Sequence, residues 1–147
     1  MRYVLDTNII LHYLRKSDLA LRVDEQFGPI SPENEPFVPV VVKGELESLS
    51  IQNRWGEQRM ERVEAFVNQL ITADINSEDV IVRYAEIDAF SQGRLPGRTL
   101  GTTSRNMGKN DLWIASIASV LNATLLTTDA DFDHLSGIFL KVRRISV

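Results

Sequence analysis

Asp6, Glu45, Asp111 and Asp129 are far apart in the chain, yet each stands where an apolar run gives way to a turn or a helix start. Taken singly, an aspartate after a strand is an ordinary turn or helix-cap residue. Taken together, four carboxylates gathered at one edge of a sheet repel each other and raise one another's pKa. A hard divalent cation relieves that repulsion, and an all-oxygen donor set suits Mg²⁺ or Mn²⁺. Zinc fits less well: the chain has no cysteine, and neither of its two histidines, His12 and His134, is well placed. The chemistry open to such a pocket is metal-assisted, with a bound water acidified and oriented as a nucleophile.

The elements that must deliver these acids can be read from apolar patterning. Arg2 to Leu5 predicts a buried strand ending at Asp6, and Ile9 to Leu14 a buried helix. Gly28 to Pro36 is a turn-rich connection, and Phe37 to Val42 predicts a strand buried on both faces. Glu45 then falls in the first turn of the helix that follows. Met60, Val63, Phe66, Val67 and Leu70 recur at helical spacing within an amphipathic helix from Gly56 to Ile71. Ser77, followed by Glu78 and Asp79, starts another helix reaching Gln92. Gly93 to Asn110 predicts a long mobile loop; Asn110-Asp111 opens an almost wholly apolar helix to Leu121. Thr124 to Thr128 predicts a strand handing over to Asp129, and Ile138 to Val147 an edge strand. Strands alternating with helices give an α/β fold, a three-layer α/β/α sandwich on a mainly parallel sheet. Ligands of such folds bind beyond the carboxyl ends of the strands, where all four acids can point into one crevice.

Other charges and rings are weighed against this frame. Arg94, Arg98, Arg105 and Lys109 lie in the long loop with no acid among them, just ahead of Asp111. A solvated loop is the ordinary reading; contact with phosphate, which guanidinium forks suit, is the functional one. His12 reads as packed or half-exposed, His134 as a surface residue, Trp113 as core, and Glu47 and the Glu57 to Arg62 charges as a solvated face. Trp55 caps a helix or faces a partner. A length of 147 residues fits one domain over 1–147. The net charge of −4 argues only weakly against nucleic acid, because clustered acids around a cation overstate the field a substrate meets. Met1-Arg2-Tyr3-Val4 has no apolar stretch of a secretory signal, no membrane-length run follows, and the lack of cysteine suits a reducing cytosol. A cytoplasmic location without membrane contact is the expectation.

Four segments carry a family resemblance. Leu5-Asp6-Thr7-Asn8-Ile9-Ile10-Leu11 resembles the opening motif of the PIN-domain family, VapC-type toxins in particular. Val42-Lys43-Gly44-Glu45-Leu46 is similar to its second acidic motif, and Asn110-Asp111-Leu112-Trp113-Ile114-Ala115 to its third, the most specific. Leu125-Leu126-Thr127-Thr128-Asp129-Ala130-Asp131-Phe132 is similar to its last. The four stand in the family's order and span nearly the whole chain. The resemblance implies that Asp6, Glu45, Asp111 and Asp129 are the metal-site acids, with Asp131 a secondary candidate. It implies that Thr7 and Asn8 steady Asp6, and that Thr127 or Thr128 steadies the last acid. It also implies RNA cleavage leaving a 5′-phosphate and a 3′-hydroxyl, a small antitoxin whose tail fills the site, and a homodimer built on apolar helical faces. The loop from Gly93 to Asn110 is long for the family, so substrate choice does not carry over.

Two other functions compete with this one. An α/β phosphatase would use Asp6 as a covalent nucleophile, but it wants a second aspartate two residues on, where this chain has Asn8. A non-catalytic RNA-binding module of the same fold is expected to lack one or more of the acids, and none is missing here.

Overall fold

Parallel strands that are apolar throughout need cover on both faces, and the chain supplies it by alternating strands with helices. The computed structural model describes residues 1–147. Strand β1 (Arg2–Leu5) is followed by helices α1 (Thr7–Arg15) and α2 (Asp18–Gln26). Strand β2 (Glu35–Pro39) leads into α3 (Val40–Gln52) and α4 (Glu57–Val67), and β3 (Ile71–Ala73) into α5 (Glu78–Ser91). Helix α6 (Lys109–Val120), strand β4 (Thr124–Thr127), a 3-10 helix (Ala130–Leu135) and strand β5 (Lys141–Arg144) complete it. Every strand pairing is parallel, and the sheet order is β3-β2-β1-β4-β5, with helices packed on both faces. This is the three-layer α/β/α sandwich expected from the alternation.

Strands β1 and β4 are central and short, and their inner residues Val4, Leu5, Leu125 and Leu126 are fully buried. Helix α6 lies across the sheet with Ile114, Ala115, Ile117 and Ala118 inside, as its apolar run requires. Burial on this scale ranks these elements among the last to open, so whatever they carry at their ends is held still.

Several boundaries differ from the sequence reading. Strand β2 ends at Pro39, and Val40, Val41 and Val42 already belong to α3, so Glu45 sits in the second helical turn. Three β-branched residues favour a strand, but Pro39 offers no N–H to continue a ladder, and its fixed φ of −61° suits the residue before a helix. The amphipathic helix stops at Val67, and Ile71 belongs instead to β3, a three-residue edge strand too short to show a period of its own. Helix α2 has no counterpart in the sequence reading; Ser17 caps it by accepting from the Ala20 N–H, and Leu19, Ala20 and Val23 are buried. Ser77 does cap α5, accepting from the Val80 N–H.

Candidate functional site

The ladder between β1 and β4 ends on an aspartate. The Asp6 N–H donates to the Leu126 carbonyl at 3.1 Å, and the chain then turns into α1, with Asp6 as its N-cap. Its Oδ1 accepts from the Thr7 N–H at 2.8 Å and its Oδ2 from the Thr127 hydroxyl at 2.7 Å. Thr127, the last residue of β4, is fully buried, and its oxygen accepts in turn from the Asp129 N–H at 3.0 Å. One hydroxyl therefore ties the acids of two neighbouring strands together. The Thr7 hydroxyl donates to Glu45 Oε2 at 2.7 Å, which ties α1 to α3. Asp129 Oδ1 accepts from the Asp131 N–H at 2.9 Å and caps the 3-10 helix. Asp111 lies in the first turn of α6, where backbone N–H groups and the helix dipole favour negative charge.

These side chains line one crevice of about 400 Å³, walled by Asp6, Thr7, Asn8, Glu45, Asp111 and Asp129. On its outer flank, Asp111, Asp129 and Asp131 each present a carboxylate oxygen, all within 4.8 Å of one another. Burial, only partly offset by the bonds from Thr127 and Thr7, holds the Asp6 carboxyl above its usual range, and the charges of Glu45 and Asp129 add to this. Asp111 is pushed up to about 7, first by burial and then by the charges of Asp6, Asp129, Glu45 and Asp131. Carboxylates that raise one another this way, with no lysine or arginine lining the crevice, fit a hard cation. The donor set is oxygen alone, since no histidine reaches it.

The supporting residues are distributed differently from their sequence assignment. Thr7 meets Asp6 through its backbone and spends its hydroxyl on Glu45. Asn8 lies exposed in the crevice wall with no side-chain bond to Asp6, while Thr127, not Thr128, holds the last acid through the Asp129 N–H and also reaches across the sheet to Asp6. Ser48 and Gln52, absent from the sequence reading, also line the crevice; they follow Glu45 by three and seven residues on one face of α3.

Of the loop cations, Lys109 opens α6 and lines a shallow groove beside Asp111. Arg98 lies over the Phe139 ring at 5.2 Å, and neither it, Arg94 nor Arg105 lines the crevice. His134 is no surface residue. Its ring is half-buried and parallel to Phe90, and its Nε2 is 2.8 Å from the fully buried Ser91 hydroxyl, fastening the 3-10 helix to the end of α5. Trp113 is half-buried against Tyr84, and Trp55 packs under the Arg59 guanidinium. His12 is half-buried, with Nδ1 2.9 Å from the Ser17 hydroxyl.

Comparison with known proteins agrees with this geometry. Residues 3–138 match the PIN domain. Ribonuclease VapC1 of Haemophilus influenzae (strain R2866) is 30% identical over 143 residues, covering 94% of this chain and 95% of that protein. The fold matches VapBC2 from Rickettsia felis, solved bound to a promoter DNA fragment, with a TM-score of 0.75 at 24% identity. It also matches VapBC-1 from nontypeable Haemophilus influenzae, with a TM-score of 0.70 at 27% identity. Each match covers 98% of both chains. With four acids in the family's order meeting at the ends of β1 and β4, in the second turn of α3 and at the start of α6, the chain belongs to the PIN-domain family, and its relatives are VapC-type proteins.

Proposed function

We propose that this chain is a metal-dependent endoribonuclease and the toxin of a type II toxin–antitoxin pair, its 147 residues acting as one nuclease domain. The observation that carries this reading is the convergence of Asp6, Glu45, Asp111 and Asp129 on a crevice open enough for a phosphodiester. Asp6, Asp111 and Asp129 would hold Mg²⁺ or Mn²⁺, with Glu45 and Asp131 completing the set. Such an ion, when bound, acidifies water and neutralises charge developing on the phosphate.

The remaining work falls to the protein's own groups. Thr127 and the Thr7 N–H fix the plane of the Asp6 carboxylate while leaving lone pairs on both oxygens. The Thr7 hydroxyl fixes Glu45 through Oε2, so Oε1 is free to take the proton of the attacking water. That water forms the new bond to phosphorus, the bond to the ribose 3′-oxygen breaks, the departing oxygen takes a proton from solvent, and the products are a 5′-phosphate and a 3′-hydroxyl. Lys109, beside Asp111, contacts the flanking phosphate, and Arg94, Arg98 and Arg105 meet more distant ones.

The relatives solved as VapBC complexes support a small antitoxin as the partner. A basic side chain from its tail, seated among these carboxylates, would exclude the cation and shut the enzyme off. A homodimer in the cytoplasm is the proposed working form. No helix is long and apolar enough to cross a membrane.

The test is cleavage of labelled RNA by the Asp6→Asn and Asp111→Asn variants in added Mg²⁺, with folding followed by circular dichroism. Both are expected to fold and not to cut. Full activity in both would refute the assignment.

A further inference from the structure

Beyond the acidic crevice, one groove concentrates the opposite charge. It lies between α1 and α4, measures about 290 Å³, and is lined by Arg15, Arg59 and Arg62 together with Leu14 and Val63. The three ion pairs of the molecule are Arg2–Glu35, Arg83–Glu86 and Arg144–Asp133, so none of the groove arginines has an acidic partner. Arg59 and Arg62 are three apart on α4, an arrangement of like charges that weakens a helix. Arg15 adds a third charge from another element. Arg59 is moreover held over the Trp55 ring at 4.3 Å, which restrains the guanidinium without neutralising it. A chain with a net charge of −4 has here gathered three unpaired cations into one concave surface.

We propose that this groove holds the phosphates of single-stranded RNA whose scissile bond lies in the acidic crevice, and so forms the substrate-binding subsite of the enzyme. The inference rests on the nuclease reading above. Its main support is that both sites share α1: Asn8 and Leu11 line the crevice, and Leu14 and Arg15, one turn further on, line the groove. Asn8 and Arg15 are about 10 Å apart along the helix axis. That span is short enough for a few nucleotides of single strand to bridge. Guanidinium forks match phosphate oxygens in geometry and stay charged throughout. An acidic peptide would satisfy the same three arginines, but it has no reason to extend into a pocket of carboxylates. A strand bearing a phosphodiester does, once a cation is bound there.

The test compares two triple variants that remove equal charge. One is Arg15→Gln/Arg59→Gln/Arg62→Gln; the other is Arg2→Gln/Arg143→Gln/Arg144→Gln, on β1 and the edge strand β5 rather than on α1 or α4. Affinity for a fluorescein-labelled single-stranded RNA of about 12 nucleotides is read by anisotropy in Mg²⁺, with every chain carrying Asp6→Asn so that nothing is cut. The groove variant is expected to lose about ten-fold or more in affinity. The slope of log affinity against log salt should fall by about 2, the share of three phosphate contacts on a single strand. The control variant should stay within about two-fold of the parent chain. Equal losses in both variants would reduce the effect to bulk charge and overturn the proposal. So would unchanged RNA affinity in the groove variant, including the case where it loses binding to a poly-glutamate peptide instead. Cutting assays with Mg²⁺ separate this from the parent reading. If the parent chain cuts RNA, the groove variant should show a raised KM with kcat retained. A parent chain that fails to cut defeats the nuclease reading, while the anisotropy result still decides whether the groove binds RNA.

Discussion

The acidic crevice and the loop from Gly93 to Asn110 are both dense in charge, and they are built in opposite ways. In the crevice, each acid comes from a different element and is fixed by a bond that crosses elements, as Thr127 does for Asp6 and Thr7 for Glu45. In the loop, the charges are neighbours in sequence, and none of them lines the crevice. Gly93, Gly97 and Gly101 adopt positive φ and turn the backbone repeatedly, and it is pinned mainly where the Arg105 N–H meets the Ser91 carbonyl at 2.7 Å and Met107 is buried. A local run of charge therefore guarantees nothing about a site. Charges from distant segments, held at the ends of buried strands, are what concentrate a field in one place.

The sharpest way to break this comparison is to remove a crevice acid. Asp129→Asn is expected to lower the cleavage rate by more than about 100-fold, beyond what loss of a supporting residue does at a metal site. Gel assays on the same RNA check it, and a loss under ten-fold would demote Asp129 from the site. The next largest effect is expected from Thr127→Val, which keeps shape but strips the hydroxyl shared by Asp6 and the Asp129 N–H. Activity should fall by about 10–100-fold, and stability by about 1–3 kcal/mol because buried partners are left unsatisfied. Urea melts in EDTA measure the second quantity apart from the first.

A third prediction concerns pH in the absence of metal. Asp111 ionises near its ordinary 3.8 in the unfolded chain, but only at about 7 in the folded one. Between these values the folded state binds more protons, so the contribution of Asp111 to stability is present at low pH and is lost as pH rises through 7. Relative to the parent, Asp111→Asn should therefore gain stability from pH 4 to pH 7.5 in EDTA, read as the difference in Tm. Parallel Tm curves would show that the acids do not strain the fold. Adding Mg²⁺ to the parent at pH 7.5 should raise its Tm, since a ligand that binds only the folded state stabilises it. The smallest effect is expected in the loop. Arg98→Gln removes a cation lying over Phe139 and should cost about 0.5–1 kcal/mol, visible in urea melts as a small shift of midpoint.

Much of the site was legible before the structure. Asp6 and Asp129 follow apolar runs, which marks strand ends, Asp111 opens an apolar helix and Glu45 follows an apolar run, so all four acids read as facing one edge of the sheet, where they line the crevice. Glu45 was placed one helical turn too early, because Val40 to Val42 read as strand until Pro39 ended the ladder. Helix α2 and strand β3 escaped because one is short and charged, and the other has three residues and forms only by pairing with β2. Arg59 and Arg62 belong to a run that reads as a solvated face, and nothing local in the sequence joins Arg15 to them or says that α1 packs beside α4.

The chain's own order of residues settled which groups are available: carboxylates at element boundaries, no thiol, and an apolar alternation that admits little besides a covered parallel sheet. Which of these groups meet was decided by tertiary packing. Hydrogen bonds such as Thr127 to Asp6 and Thr7 to Glu45 join residues far apart in sequence, and they form only after burial of β1 and β4 has fixed their ends. The elevated Asp111 carboxyl arises the same way. Its causes are burial and four neighbouring acids, and all but Asp129 and Asp131 come from the other half of the chain.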